Sequence, residues 1–237
     1  MAKQTKSLAV RVNDKEQIWG IIYLLFCIFL LPALLSELNG LLAIPLSNAW
    51  YNFLYFSLNF LFIIWIFHNF FKRSLIHVGH HFGEFLLSVL GGSAVYWLCS
   101  WGISALIRLL FPDFVNLNDI YIVGMAHNNF FIMLLGTIVL VPVAEEALYR
   151  GLIFGSLYPK SHWAAYFLST ILFAVVHTIN YWGVYELPNL LVAFLQYIPA
   201  GLVLAWAYRY SGSIFAPILI HASINAIGFL SISVTIG

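Results

Sequence analysis

Three ionisable side chains, Glu145, Glu146 and Arg150, lie within one long apolar stretch of the sequence. Glu146 and Arg150 are four residues apart, so on a helix they share a face and can form an ion pair, whereas Glu145 points about 100° away. A carboxylate without a partner on its own helix is suited to act as a general base toward water. The stretch predicts one structural ion pair and one chemically free carboxylate; the alternative is that both carboxylates only tie helices together through Arg150.

Two further pairs occur in later apolar stretches, each with the i, i+4 spacing of one helical face. Phe173 and His177 form the first pair, and His221 and Asn225 form the second. A neutral His177 beside a carboxylate can position or deprotonate a water molecule. His221 and Asn225 offer hydrogen-bond donors for the charge that develops on a carbonyl oxygen under attack. A lone membrane histidine is more often an interhelical hydrogen bonder, but three such helices together favour peptide-bond hydrolysis.

The elements that carry these residues are predicted to be membrane helices. Of the 237 residues, 62% are hydrophobic and 8% are charged, which lies far outside the composition of a soluble globular domain. Seven apolar stretches are each near the twenty or so residues that cross about 30 Å of hydrocarbon. The predicted spans are Ile18 to Leu35, Ala49 to Phe67, Phe85 to Leu110, Phe130 to Gly151, Trp163 to Ile179, Leu190 to Tyr208 and Ile214 to Ile236. We therefore predict an all-α fold, a polytopic membrane helical bundle of about seven transmembrane helices, between six and eight.

The chain divides into three predicted segments: a polar cytoplasmic tail over 1–16, transmembrane helices without motifs over 17–127, and a catalytic helical core over 128–237. A cytoplasmic N-terminus places most loop cations on the inner side, as the positive-inside rule requires. These cations are Lys72, Arg73, Lys160 and Arg209. We expect a multi-pass protein of a prokaryotic plasma membrane. An additional re-entrant or interfacial helix between Phe111 and Asn129 is an alternative that the count of seven spans leaves open.

Composition also limits the partners. A net charge of +1 provides no basic field for nucleic acid, so the expected partners are membrane lipids and a membrane-associated peptide or protein. Cys27 and Cys99 form neither a disulfide framework nor a metal-ligand pattern. The absence of an inverted repeat disfavours a transporter. The histidines at 77, 80 and 81 are predicted to lie in a cytoplasmic loop near lipid headgroups, with a metal site as the less favoured alternative.

The predicted depths of the polar residues agree only in part. Counted from the turn near Pro159, Glu145 and His177 lie about 21 and 25 Å into the membrane at 1.5 Å per residue. His221 lies only about 14 Å beyond the turn near Gly212. Convergence of the three requires staggered helices, and it predicts a site in the cytoplasmic half of the membrane.

The three motifs together resemble those of the CAAX protease and bacteriocin-processing family of intramembrane endopeptidases, also called CPBP or Abi, which is related to the Ras-converting CAAX endopeptidase. Glu145 to Arg150 fits the EExxxR motif of that family, Phe173 to His177 fits FxxxH, and His221 to Asn225 fits HxxxN, in the same order. Each motif is weak alone, but the ordered set on apolar helices is specific. The resemblance covers roughly residues 130 to 230.

The resemblance implies a role for each motif residue. Glu145 and His177 activate the water, while His221 and Asn225 stabilise the oxyanion. The structural and orienting residues are Glu146, Arg150 and Phe173. The expected substrate is a CAAX-type protein or a bacteriocin or peptide precursor, and nothing in the residues selects between them.

Two alternatives remain open from the sequence. We favour a metal-free glutamate mechanism without a cofactor, although Glu145, His177 and His221 form a chemically acceptable zinc triad. The missing HExxH signature does not exclude zinc. The second alternative is a non-enzymatic membrane adaptor or bacteriocin self-immunity protein that keeps the peptidase scaffold.

Overall fold

The computed structural model describes residues 8–236, apart from the side chains of residue 128 and of residues 232–236. Eight helices make up this part of the chain, and no β-strand forms within it. The helices are α1 Asp14–Gly40, α2 Asn48–His80, α3 Phe82–Leu110, α4 over residues 117–128, α5 Asn129–Leu157, α6 His162–Tyr181, α7 Leu187–Ser211 and α8 Phe215–Ile236.

Helix length and composition agree with the predicted spans. Within residues 8–236, six helices are long and apolar enough to cross a membrane, namely α1, α2, α3, α5, α6 and α7. The seventh predicted span is α8, whose apolar stretch Phe215–Ser231 is shorter. Helix α4 meets α5 at a kink at Asn129, where the backbone is non-helical with φ −140° and ψ 41°. The all-α polytopic bundle is confirmed, and the chain is a multi-pass membrane protein; the side that the N-terminus faces stays a prediction.

Helix α2 is longer than predicted. The sequence prediction ended this span at Phe67, but the helix continues to His80, so the assignment of His77 and His80 to a loop was wrong. Phe67 has non-helical angles, φ −104° and ψ 17°, yet the helix only kinks there. Three residues later the N–H of Phe70 donates to a carboxylate oxygen of Glu16 at 2.7 Å. That hydrogen bond satisfies the backbone next to the kink, so that the helix resumes instead of ending.

The described part of the predicted polar tail packs against the bundle. Asn13 and Glu16 form a reciprocal capping box at the start of α1, with hydrogen bonds of 2.8 and 2.9 Å. Val10 is buried, and its carbonyl accepts a hydrogen bond from the hydroxyl of Tyr208 on α7 at 2.6 Å. Residues 1–7 lie outside the described residues. One buried cluster joins side chains of α1, α2, α5, α6, α7 and α8. The predicted division of the chain into segments 17–127 and 128–237 stays a prediction.

Helices α1 and α5 each contain a wide π-helical turn shortly before a proline. The turn Phe26–Leu30 precedes Pro32, and the turn Gly136–Leu140 precedes Pro142. A π turn bonds each N–H to the carbonyl five residues back, and a proline cannot supply that N–H. Each turn therefore leaves one carbonyl for a side chain from another helix.

Gly212, which follows the end of α7 at Ser211, has φ +68°. A Cβ at this position would lie 2.5 Å from Nε2 of His77 and 2.8 Å from the Cβ of Ala9. Gly212→Ala is therefore expected to lower the free energy of unfolding by at least about 1–2 kcal/mol, the cost of the left-handed backbone alone. Thermal unfolding in detergent, followed by circular dichroism, measures this change. The matched control is Gly102→Ala on α3, where a Cβ meets nothing within 4 Å; equal midpoints for the two variants would contradict the prediction.

Candidate active site

Helices α5, α6 and α8 bring one carboxylate and two imidazoles together. Oε2 of Glu145 lies 3.6 Å from Nε2 of His177 and 4.0 Å from Nε2 of His221. Among the described residues this oxygen has no hydrogen-bond partner. The side chains of Glu145 and His177 keep 22% and 16% of their surface accessible, so a small molecule can reach both. The structure thus places the three predicted residues at one point, although they come from three helices.

The second carboxylate of the motif is held through one oxygen, Oε1, while its buried Oε2 has no hydrogen-bond partner among the described residues. Oε1 of Glu146 accepts hydrogen bonds from Arg150 at 2.9 Å and from Nδ1 of His221 at 2.8 Å. The side chains of Glu146 and Arg150 are completely buried, as a pair of opposite charges can be when both are hydrogen bonded. Arg150 also donates to the carbonyl of Gly201 on α7 at 3.3 Å, and its guanidinium carbon lies 4.4 Å from the ring centre of Phe173 on α6. The pair therefore connects α5 to three other helices.

The hydrogen bonds at Nδ1 fix how the two imidazoles face the site. Nδ1 of His177 donates to the carbonyl of Phe173 at 2.8 Å, and Nδ1 of His221 donates to Glu146 at 2.8 Å. Because a carbonyl or a carboxylate can only accept, each Nδ1 carries a hydrogen, and in the neutral ring Nε2 carries a lone pair. Both lone pairs face the free oxygen of Glu145. Three acceptor atoms surround one point. Such a point can bind a water molecule through its hydrogens, or it can bind a cation.

The spacing of these three atoms bears on the zinc alternative. Ligands about 2.0–2.1 Å from a tetrahedral zinc ion lie roughly 3.3 Å apart. The oxygen of Glu145 is further than this from both imidazole nitrogens, at 3.6 and 4.0 Å. Within residues 8–236 no group of three or more His, Cys, Asp or Glu side chains is arranged to hold a metal ion. As they stand, the three side chains are wider apart than zinc ligands.

Asn225 reaches the carbonyl that Pro142 leaves free. The N–H of Val141 donates to the carbonyl of Gly136, five residues back. If the π pattern continued by one residue, the carbonyl of Thr137 would accept from residue 142, but Pro142 has no N–H. Nδ2 of Asn225 donates to this carbonyl at 2.8 Å. The sequence did not predict this contact of Asn225.

The site lies part-way along α7, and its predicted position in the cytoplasmic half of the membrane stays a prediction. The ring of Tyr197 on α7 packs 4.6 Å from the ring of His177. Tyr197 is ten residues after Leu187 and fourteen before Ser211, the two ends of α7, or about 15 and 21 Å from them at 1.5 Å per residue. The expected mismatch in depth is reduced because the π-helical residues Ala147–Phe154 advance less along the axis of α5 than α-helical residues do.

Sequence reasoning missed two groups that surround the motif residues. Tyr197 is one of many aromatic side chains in apolar helices, so its type and spacing carry no signal. The carbonyl of Thr137 has no side-chain signature at all; only Pro142, five residues later, indicates that a carbonyl is left free.

Comparison with known proteins supports the family resemblance of the three motifs, for the C-terminal part of the chain. Residues 127–227, which contain every motif residue, match the family described as Type II CAAX prenyl endopeptidase Rce1-like. The UPF0177 protein YxdF of Lactococcus lactis subsp. lactis (strain IL1403) is 34% identical over 90 residues, which cover 38% of this chain and 44% of that protein. The protein named "Putative membrane peptidase YdiL" of Bacillus subtilis (strain 168) is 30% identical over 95 residues, 40% of this chain and 34% of that protein.

The extent of these matches defines what they show. The chain spans less than half the length of either of these relatives, at 44% and 34%. No solved structure matches the chain. The family match contains Glu145, His177, His221 and Asn225 on the helices where the motifs predicted them. The resemblance that the three motifs indicated is therefore confirmed: residues 127–227, less than half of the chain, match the Rce1-like family.

Proposed function

We propose that this protein is an intramembrane endopeptidase that hydrolyses a peptide bond of a membrane-associated peptide or protein with water activated by Glu145 and His177. One observation carries the proposal. Of the two adjacent carboxylates, Glu146 is held through Oε1 by both Arg150 and His221, although its Oε2 has no partner among the described residues. Oε2 of Glu145 also has no partner among these residues, and it faces two imidazole nitrogens. A carboxylate used only to tie helices together would be hydrogen bonded like Glu146.

The distances suit activation of water. Two atoms 3.6 Å apart, such as Oε2 of Glu145 and Nε2 of His177, can both lie at a hydrogen-bond distance of about 2.8 Å from one water oxygen. Since both atoms accept, such a water donates both hydrogens to them and turns its lone pairs to the substrate. The water oxygen then bonds to the carbonyl carbon while its proton passes to Glu145. As the C–N bond breaks, Glu145 returns the proton to the leaving amine.

The charge that forms on the carbonyl oxygen requires donors. Nδ2 of Asn225 has a second N–H beyond the one bonded to Thr137, and this second N–H is the first proposed donor. The other is Nε2 of His221, which donates only when the imidazole carries both protons. The hydrogen bond from Nδ1 of His221 to Glu146 at 2.8 Å is the same in the neutral and the doubly protonated ring, so that it holds the imidazole in place in either form.

The place of the site among the helices supports a substrate class. A peptide bond reaches Glu145 only if its chain enters the bundle in an extended form, which favours a segment already held at the membrane. The family description names a CAAX prenyl endopeptidase, and we therefore take a lipid-anchored peptide as the first probe. A farnesylated CAAX peptide and the same peptide without the lipid are incubated with purified protein, and products are identified by mass spectrometry. We expect cleavage of the anchored peptide; folded protein that cleaves neither this peptide nor a bacteriocin-type precursor contradicts the proposal.

Metal removal separates the two mechanisms. The glutamate mechanism predicts that dialysis against EDTA or treatment with 1,10-phenanthroline changes the cleavage rate by less than about twofold, because no step uses a metal-bound water. Added zinc then does not raise the cleavage rate, because the chelator did not lower it. A rate that falls by more than about tenfold and returns with zinc would instead assign Glu145, His177 and His221 as ligands. Metal analysis of the active protein provides the control.

A further inference from the structure

We infer that Pro142 is a positioning residue for Asn225: because it lacks an N–H, it leaves the carbonyl of Thr137 free to hold the amide that serves the reaction. The inference rests on the proposed function. It adds to that function a backbone carbonyl and a proline, neither of which touches the substrate.

The hydrogen bonds around the π turn define the effect of the proline. The N–H of Val141 is used by the carbonyl of Gly136. A residue other than proline at 142 would have an N–H, and continuation of the π pattern by one residue directs this N–H to the carbonyl of Thr137. With Pro142 there, Nδ2 of Asn225 occupies that acceptor at 2.8 Å across the interface between α5 and α8.

This contact fixes the direction of the remaining donor. The two N–H groups of an amide lie in one plane, so that a hydrogen bond from one of them largely determines where the other points. Asn225 lies one helical turn beyond His221 on the same face of α8, and His221 faces Glu145. The second N–H of Asn225 is thus set before a substrate arrives, which is the preorganisation that oxyanion stabilisation needs.

The carbonyl is itself rigidly held. The hydroxyl of Thr137 donates to the carbonyl of Met133 at 2.7 Å inside the bundle. Gly136 packs closely against α2, since a Cβ there would lie 2.9 Å from the ring of Phe56. A fixed acceptor restricts the amide far more than a mobile side chain or a solvent molecule could.

The same arrangement occurs in α1, where none of the residues is assigned chemistry. There the N–H of Leu31 donates to the carbonyl of Phe26, Pro32 supplies no N–H, and the hydroxyl of Tyr55 donates to the carbonyl of Cys27 at 3.2 Å. This second turn shows that a proline after a π turn frees a carbonyl for another helix. It also provides a matched control, because Pro32→Ala changes the same backbone feature without changing the amide at Asn225.

The first experiment measures the contact itself and needs no activity. Protein labelled with ¹⁵N-asparagine is prepared in detergent micelles, and the side-chain amide signal of Asn225 is assigned as the one that disappears in Asn225→Ser. Pro142→Ala is expected to shift this signal, because the new N–H competes for the carbonyl of Thr137. Pro32→Ala is expected to leave it unchanged. An unchanged Asn225 signal in Pro142→Ala would overturn the inference, whether or not the protein cleaves peptides.

The second experiment measures coupling in the reaction. Loss of one oxyanion donor costs roughly 10²–10³ in kcat, and we expect about a tenfold loss of kcat with little change in KM for Pro142→Ala. Added to Asn225→Ala, the same substitution should cost nothing more, because the group that it positions is gone. Losses that multiply in the double variant, or an equal loss in Pro32→Ala, would show a general structural effect and overturn the inference. Thermal unfolding of all variants identifies any that lose activity through misfolding.

Discussion

Glu145→Gln is expected to lower kcat/KM for peptide cleavage by roughly 10²–10⁴-fold, the range that general base catalysis supplies. Glutamine has nearly the same shape but cannot accept a proton from water. The fold should persist, because Oε2 of Glu145 makes no hydrogen bond to any residue that the structure describes and its nearest nitrogens are 3.6 and 4.0 Å away. Initial rates on the anchored peptide and the thermal midpoint are measured on the same preparation.

The matched control for this variant is Glu84→Gln. Glu84 lies in the exposed first turn of α3 and contacts none of the site residues. Undiminished turnover in Glu145→Gln would exclude Glu145 as the base. Equal losses in the two variants would show that the assay responds to surface charge rather than to the site.

Arg150→Met is expected to lower the free energy of unfolding by about 3–5 kcal/mol, because it leaves Glu146 as a buried charge without its cation. Both side chains are completely buried, so water cannot replace the lost partner. Chemical unfolding in mixed micelles measures the difference from the native sequence. We expect the Arg150→Met protein to fold poorly, and we do not expect a specific change in KM.

A double variant keeps this prediction testable when the single variant folds poorly. Glu146→Leu combined with Arg150→Met removes both charges, and much of the lost stability should return although activity does not. The control pair is Glu16 with Arg73, where Arg73 keeps 40% of its surface exposed, so that Arg73→Met should cost much less. A double variant that is less stable than Arg150→Met alone would contradict the explanation from an unpaired buried charge.

Much of the fold was predictable because membrane helices can be recognised in a sequence by their length and apolar composition alone. The seven predicted spans all correspond to helices, and most ends differ by only a few residues. Helix α2 was the exception. Its continuation to His80 depends on a hydrogen bond from Phe70 to Glu16, a residue 54 positions earlier, and such a contact leaves no trace in the local pattern.

The site was predictable to the extent that its residues are costly in lipid. Glu145, His177 and His221 are polar side chains in apolar helices, and helical spacing alone groups each with its neighbours. Spacing could not reveal that Glu146 orients His221 across 75 positions or that Tyr197 packs on His177. These contacts depend on how the helices tilt and on where their π turns fall, which apolar composition does not determine.

The Glu146–Arg150 pair also matters for biosynthesis. An ion pair within one helix can form as soon as α5 is made, before α6, α7 and α8 follow it into the membrane. Each charge at mid-bilayer costs about 2.5–3.5 kcal/mol on insertion scales, so the pair leaves Glu145 as the one uncompensated charge of the three when α5 enters. Glu145 has no such partner on its own helix, and the imidazoles that face it arrive only with α6 and α8. Glu145 is therefore the last of the three charges on α5 to meet its neighbours, and the proposed site is complete only after α8 has docked.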